Sequence, residues 1–430
     1  MNTKTTVEMR IWGQPVGVVG IDPDRPGTYI FEYFPAWSRK GIELAPFQMP
    51  TGTAATRRVV WSFPQIGRGF RGLPGLVADA LPDAFGNRLI DAYLARRGLS
   101  GGQVTAIDRL AYMAKRGMGA LEFHPGVGSR KDLAGMLDMS ALVEEARQVV
   151  SGQLGSPSEA AESLKEIIKV GTSAGGARPK AVVAWNPATS EVRSGQFDVP
   201  EGFEHWLLKF DGVGQASDDL GTPNGYGKIE YAYYLMATAA GIGMSRCELL
   251  VENGRAHFMT RRFDRDGNRK HHVQSLCALQ HLDYMDPRSH AYEQLFTTID
   301  VLGLGDGART QAFRRMAFNF MASNNDDHTK NFAFMMREGG GWELAPAYDV
   351  TYAYRKESEW VSAHQMSVNG KFAGAGREDF LRVADTFAVP GAKGILDQVR
   401  NATEQWAGFA AKGGVPEKEA RRLMAAFRPV

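Results

Sequence analysis

The side chains best suited to chemistry gather in one stretch, Asn324-Asn325-Asp326-Asp327-His328-Thr329-Lys330-Asn331, and another carboxylate follows at Asp349. Between them lie an apolar run, Phe332-Ala333-Phe334-Met335-Met336, and a turn-forming Gly339-Gly340-Gly341. An apolar strand followed by a glycine turn reads as a hairpin, and a hairpin can carry Asp326, Asn331 and Asp349 to one place. Carboxylate and amide oxygens are hard ligands that suit Mg²⁺ and the phosphates it bridges. The plain alternative is a solvated turn, because Asn and Asp favour turns by bonding to nearby backbone.

The interval narrows the chemistry. Asp326 is followed by four residues and then Asn331, the spacing of the catalytic loop of protein kinases. There the Asp accepts the proton of the attacking hydroxyl, the Asn holds Mg²⁺, and a second Asp beyond a hairpin joins metal to phosphate. Asp349 stands in that position. A second stretch, Gly171-Thr172-Ser173-Ala174-Gly175-Gly176-Ala177-Arg178-Pro179-Lys180, sets small residues, whose backbone N–H groups can approach phosphate, beside two cations. It is not a Walker loop, since Ala177 sits where that motif requires Lys and Pro179 would break the helix that should follow. A lid over nucleotide fits better, with a bare glycine-rich turn as the alternative.

The elements that must position these groups can be read around them. Lys209 lies in the apolar strand His205-Trp206-Leu207-Leu208-Lys209-Phe210, where a lysine needs an anionic neighbour or else reaches to solvent along its stem. Glycine-rich turn, strand, strand with Lys, then helix is the order of a kinase small lobe. The helix runs from about Tyr226 to Ala240 and carries Glu230, either an ion-pair partner for Lys209 or a solvated carboxylate at a helix start. The segment Val273-Gln274-Ser275-Leu276-Cys277 would then cross to the large lobe with its backbone toward adenine. Residues 291–323 are helical and deliver the chain to Asp326. Upstream, Val7, Met9 and Ile11, then Val16 and Val18, then Tyr29, Phe31 and Tyr33 alternate as strands, and Met118 to Phe123 closes that β unit. Helical spacing at Leu89, Ile90 and Leu94 and at Ile107 and Leu110 marks the helices between, and the same spacing at Leu142, Val143, Ala146 and Val149 marks one beyond the unit. Asp264 and Asp266 do not make a calcium loop, and His271-His272 lacks further ligands and is expected at the surface. Beyond Asp349, Met366 to Lys371 reads as a hairpin, and Ile395, Leu396, Val399, Trp406 and Phe409 mark a buried helical face.

Composition sets the outer bounds. At 430 residues and 43% hydrophobic content, two or three domains with ample cores are expected. Cys247 and Cys277 are too few for a disulfide framework or a zinc site, suit a reducing compartment, and are expected in the core. Fifty basic against 48 acidic residues leave a formal charge of +2, no footprint for nucleic acid, so any DNA contact would come through a partner. No signal peptide and no apolar run near the ~18 residues of a membrane span is present. A cytoplasmic protein with no membrane partner is expected.

Together these stretches resemble the HipA family, bacterial serine/threonine kinases that are the toxins of type II toxin–antitoxin pairs. The likeness is carried by Leu81-Pro82-Asp83, Ser173 to Lys180, Leu208-Lys209, Arg262-Phe263-Asp264-Arg265, Asn325 to Phe332, and Ala347-Tyr348-Asp349. It implies an α+β fold: a small β-rich domain over 1–125, then a two-lobed kinase-like domain with its small lobe at 139–280 and a mainly helical lobe at 281–430. It implies Asp326 as catalytic base, Asn331 and Asp349 as Mg²⁺ ligands, and ATP contacts from Ala174, Gly175, Gly176, Ala177, Arg178, Lys180, Lys209, Gln274, Leu276, His328 and Lys330. Ser173 would be autophosphorylated, and a dianion among phosphate-binding amides would shut the kinase down. Some relatives carry two serines here, whereas this chain has Thr172 beside Ser173. The implied partners are a helix-turn-helix antitoxin of HipB type, operator DNA reached through it, and a protein substrate such as an aminoacyl-tRNA synthetase. Two other readings stay open. A small-molecule phosphotransferase of aminoglycoside-kinase type shares the spacing but leaves the N-terminal β unit unexplained; a non-catalytic nucleotide-binding scaffold in a repressor complex sits poorly with a full set of catalytic groups.

Overall fold

The computed structural model describes residues 5–82, 84–95, 104–126, 137–151, 167, 170, 178–213 and 224–430. The chain folds as two compact units, one made of residues 1–214, 264–285 and 335–340, the other of 215–263, 286–334 and 341–430.

In the first unit five antiparallel strands form one sheet: β1 (Thr6–Ile11), β2 (Gln14–Ile21), β3 (Tyr29–Tyr33), β4 (Val60–Ser62) and β5 (Leu121–His124), in the order β4-β3-β2-β1-β5. Val7, Met9 and Ile11 point into the core, as their alternation predicts. The expected pairing of Val16 with Val18 on one face does not hold. The register shifts between Met9 and Arg10, so Val19 is buried and Val18 only half-buried; an irregularity of this kind re-phases every side chain beyond it. The helix Ala106–Met113 packs on the sheet behind a capping box, Asp108 N donating to Thr105 Oγ1 (3.2 Å) and Thr105 N to Asp108 Oδ2 (3.0 Å). Farther on, β6 (Lys180–Trp185) pairs antiparallel with β7 (Val192–Ser194) and β8 (Glu204–Lys209). Its first five residues are all buried, which is why it reads as a continuous apolar run rather than an alternation.

Segment 264–285 belongs to this unit and is bonded along its length to the N-terminal region. Gly119 N donates to Asp264 Oδ2 (2.7 Å), Trp12 Nε1 to Lys270 O (2.9 Å), Gly75 N to His281 Nε2 (3.0 Å) and Gly69 N to Asp283 Oδ2 (3.1 Å). Asp79 takes both Ser275 N (2.6 Å) and Ser275 Oγ (2.9 Å). The approach is close enough that a Cβ on Gly75 would meet Ala278 O at 2.2 Å. His271 and His272, expected at the surface, are 3% and 0% exposed, at the start of a strand, His272–Ser275, that is buried at three of its four positions. Burial pushes the His272 imidazole down to about 3, so it is neutral at physiological pH.

The second unit is mainly helical. The helix Tyr226–Ala239 is followed by a hairpin of β9 (Cys247–Glu252) and β10 (Arg255–Arg261), then by helices Tyr292–Val301 and Gly305–Met321, and near the C-terminus by Arg377–Thr386, Ala392–Glu404, Trp406–Lys412 and Glu417–Met424. The single helical stretch expected over 291–323 is two helices, because Gly303 (φ 67°) and Gly305 (φ 71°) turn the chain through conformations that favour glycine. Tyr233 packs edge-on against Phe318, Trp406 and Phe427 at the centre of the core. The Met366 to Lys371 hairpin is present, with Asn369 (φ 49°) and Gly370 (φ 77°) at its turn. Cys247 and Cys277 are buried free thiols. Among the described residues no helix is long and apolar enough to cross a membrane.

Candidate active site

The loop that carries Asp326 leaves the helix Gly305–Met321 and is tied down before any functional residue is reached. Ala322 O accepts from Tyr233 Oη (2.6 Å), Ser323 Oγ donates to Ala426 O (2.6 Å), and Asn325 Nδ2 donates to Val361 O (3.1 Å). A 3₁₀ turn at Thr329–Asn331 closes the loop, Asn331 N donating to His328 O (2.9 Å). Three different elements therefore fix its path.

Asp326 and Asp327 are neighbours with opposite surroundings. The Asp326 side chain is 49% exposed, with His328 Nε2 3.7 Å from its Oδ1. Asp327 is buried. Its Oδ2 accepts from Tyr292 Oη (2.7 Å) and His364 Nδ1 (2.9 Å), and its Oδ1 from Gln365 N (2.8 Å). The His364 ring lies flat on Phe320, centroids 3.6 Å apart. Burial, and then the Asp327 charge, hold the Tyr292 hydroxyl well above the usual phenol range, so it keeps its proton and donates it.

Asn331 Nδ2 donates to Asp326 O (2.7 Å), which turns its own Oδ1 away from that carbonyl. Asp349 takes the left-handed conformation (φ 52°), one that Asp tolerates better than most residues. Arg315, Asn319, Asn324, Asp327, Asn331 and Asp349 line one small cavity, about a single water in size. Arg315 is buried there, Nη2 donating to Ala345 O (2.8 Å); burial lowers its guanidinium to about 10, and it remains a cation. Among the described residues no group of three or more His, Cys, Asp or Glu gathers. One carboxylate, Asp349, and one amide, Asn331, fit Mg²⁺, which keeps several waters and binds through one or two carboxylates and substrate phosphates.

The structure thus brings Asn331 and Asp349 together and joins Asn331 to the backbone of Asp326. Lys330 O accepts from Tyr348 Oη (2.7 Å), and the Tyr348 ring stacks on Phe263. In the first unit Lys180 and Lys209 stand directly opposite each other on β6 and β8, Lys180 being 2% exposed; half-buried Arg178 precedes them. Glu230 is buried rather than solvated and belongs to the second unit, Lys209 to the first. The Gln274 amide faces Leu44 O and Leu76 N once its oxygen and nitrogen are exchanged, and Leu276 opens the buried helix Leu276–Gln280. Thr172, Ser173, Ala174, Gly175, Gly176 and Ala177 lie outside the described residues. Sequence reasoning did not single out Tyr292, Arg315, Asn319, Asn324, Asp327 and His364. Asn324 and Asp327 sit in the run already read, but partners distant in sequence leave no local signal.

The HipA N-terminal domain family matches residues 7–124, and the HipA-like C-terminal domain family matches residues 172–407. The chain belongs to the HipA family. A chain of the Shewanella oneidensis MR-1 toxin–antitoxin complex of HipA, HipB and operator DNA superposes with a TM-score of 0.65 at 14% identity, over 97% of this chain and 94% of that one. The Helicobacter pylori proinflammatory kinase CtkA matches more loosely, with a TM-score of 0.36 at 11% identity, over 58% of this chain and 93% of that one. No curated protein sequence matches. The fold is the α+β, HipA-like fold that the resemblance implied, β-rich at its N-terminus.

Proposed function

We propose that this HipA-family chain is an ATP- and Mg²⁺-dependent serine/threonine protein kinase and the toxin of a toxin–antitoxin pair. The observation that carries the reading is the bond from Asn331 Nδ2 to Asp326 O beside the cavity that Asn331 shares with Asp349. That is the arrangement expected where an outward-facing base must work next to a metal. Asp326, half in solvent, accepts the proton of a serine or threonine hydroxyl as its oxygen bonds to the γ-phosphorus; the bond from that phosphorus to the β–γ bridging oxygen breaks, and ADP leaves. Asn331 Oδ1 and Asp349 would hold Mg²⁺, which would neutralise phosphate charge. Lys180 and Lys209 stand opposite each other on β6 and β8, and two cations side by side suit nucleotide phosphate. Residues 174–177 with Arg178, Gln274, Leu276, His328 and Lys330 complete the nucleotide contacts. On this reading the chain divides into an N-terminal domain over 1–125, a small lobe over 139–280 and a helical lobe over 281–430.

On the same reading Ser173 is autophosphorylated, which silences the enzyme. A HipB-type helix-turn-helix antitoxin tethers it to operator DNA in the cytoplasm, and a translation-related protein such as an aminoacyl-tRNA synthetase is the substrate. The match to a complex holding HipB and operator DNA supports the partner. Intact mass after incubation with Mg²⁺ and ATP tests the chemistry: one phosphate is expected on the parent and none on Asp326→Asn or Ser173→Ala. ATP binding with no phosphate gained by unmodified parent, and none passed to proteins of a cell extract, would leave a nucleotide-binding scaffold.

A further inference from the structure

Around the cavity of Asn331 and Asp349 runs a chain of hydrogen bonds whose direction is set from one end. Asp327 is a carboxylate and can only accept, so Tyr292 must donate its hydroxyl hydrogen to it (2.7 Å). The Tyr292 oxygen is then left as an acceptor, and Asn319 turns its Nδ2 toward it (2.9 Å). That orientation directs Asn319 Oδ1 to Asn324, which must answer with its own Nδ2 (2.9 Å). The last group in the chain is Asn324 Oδ1. It is an acceptor, it is buried with no hydrogen-bond partner, and its residue lines the cavity with Asn331 and Asp349. Every amide here could be turned over in isolation. Anchored at Asp327, none of them can be.

Leaving a buried acceptor without a partner is costly, so the position calls for a donor. Mg²⁺ dehydrates reluctantly and keeps several waters, and a metal-bound water, its oxygen committed to the metal, is purely a donor. We infer that Asn324 is a further positioning residue of the metal site, its Oδ1 accepting a hydrogen bond from a water of the divalent cation held by Asn331 and Asp349. The inference rests on the kinase reading above. It assigns the Asp327–Tyr292–Asn319 chain a purpose beyond stability: it holds an oxygen, rather than an N–H₂ that would repel the cation and its waters, toward the metal.

The test is Mn²⁺ affinity, read from the free Mn²⁺ signal by electron paramagnetic resonance, for the full chain with a non-hydrolysable ATP analogue. Thermal melting without metal shows which variants are folded. Asn324→Leu should weaken Mn²⁺ binding by roughly tenfold or more, the range for losing an outer-shell partner of a metal site. Asn324→Asp keeps an acceptor at the same place and should bind close to the parent. Tyr292→Phe removes the hydroxyl that orients Asn319, and should weaken Mn²⁺ although Tyr292 does not line the cavity; it also keeps the idea testable should Asn324→Leu fail to fold. Asn324→Leu or Tyr292→Phe binding Mn²⁺ as tightly as the parent while Asp349→Asn binds weakly would overturn the role of Asn324 and leave the kinase reading intact. Asn324 would then share a water only with the similarly unpartnered Nε of Arg315. Asp349→Asn binding as the parent does would remove the metal site itself, and this inference with it.

Discussion

The loop that carries Asp326 and segment 264–285 are both anchored by buried carboxylates, but the anchors differ in kind. In the loop, Asp327 gathers side chains from distant positions: Tyr292 and His364, and through Tyr292 the amides of Asn319 and Asn324. In the segment, Asp264 and Asp283 accept backbone N–H groups from Gly119 and Gly69, and Asp79 reaches the other way to Ser275. Side chain-to-backbone bonds fix where a chain runs. A side-chain network also fixes which atom of each amide faces the site, so damage to it should reach the chemistry, whereas damage to the segment should show first as stability.

The largest effects test the two neighbours at the centre of the loop. Asp326→Asn should lower phosphate transfer by about 10²–10⁴-fold, the usual share of a general base, with an unchanged urea midpoint because its side chain is half in solvent. Asp327→Ala should do the reverse in emphasis. It strands the Tyr292 hydroxyl, the His364 ring and the Gln365 N–H, each at roughly 1–3 kcal/mol when buried without a partner, so a loss of about 3 kcal/mol or more is expected by urea denaturation. Equal stability of Asp326→Asn and Asp327→Ala would erase the distinction between them. Next in size comes Asp79→Ala, which removes both bonds to Ser275 and should cost about 1–3 kcal/mol while leaving Mn²⁺ affinity at the second unit unchanged. A fall in Mn²⁺ affinity equal to that of Asn324→Leu would show that the two regions are not separable in this way.

This contrast also explains what could be read from residues alone. Periodic burial was legible: Val7, Met9 and Ile11 alternate, and Ile395, Leu396 and Val399 repeat at helical spacing, because one face of each element meets the core. So was the Asp326-to-Asn331 interval, closed by a local 3₁₀ turn, with Asp349 beyond a hairpin. The bulge that exchanges Val18 for Val19 was not, because it depends on where β1 slips against β2. Nor was the burial of His271 and His272, which follows from packing deep within the first unit rather than from their own polarity. The Asp327 network is the deepest omission. Its members at positions 292, 319, 364 and 365 come from three separate stretches of chain, and the interval that singles out Asp326 says nothing of what Asp327 binds. Two adjacent aspartates take opposite surroundings because the fold turns one inward.

The smallest expected effect is a pH dependence confined to the segment. His281 Nε2 accepts from Gly75 N (3.0 Å) and must be neutral to do so, and burial lowers its imidazole to about 4. The unfolded chain binds a proton there near pH 6.5, so between about 6.5 and 4 the unfolded state holds more protons and stability falls as pH falls. Above that window the group contributes no slope, and below it the loss levels off. His272, lowered to about 3 by burial, adds a slope of the same sign. His281→Gln keeps an acceptor for Gly75 N but cannot titrate. It also loses the edge of Phe63 against the imidazole, centroids 4.5 Å apart, so it should start from a lower stability at pH 7. The informative quantity is the change between pH 7 and pH 5. The parent should lose about 1 kcal/mol more than His281→Gln over that interval, after allowing for the partial exposure of the ring. Equal losses would place the acid sensitivity elsewhere, with His272 and His271, both lowered chiefly by burial, as the remaining imidazoles within the segment.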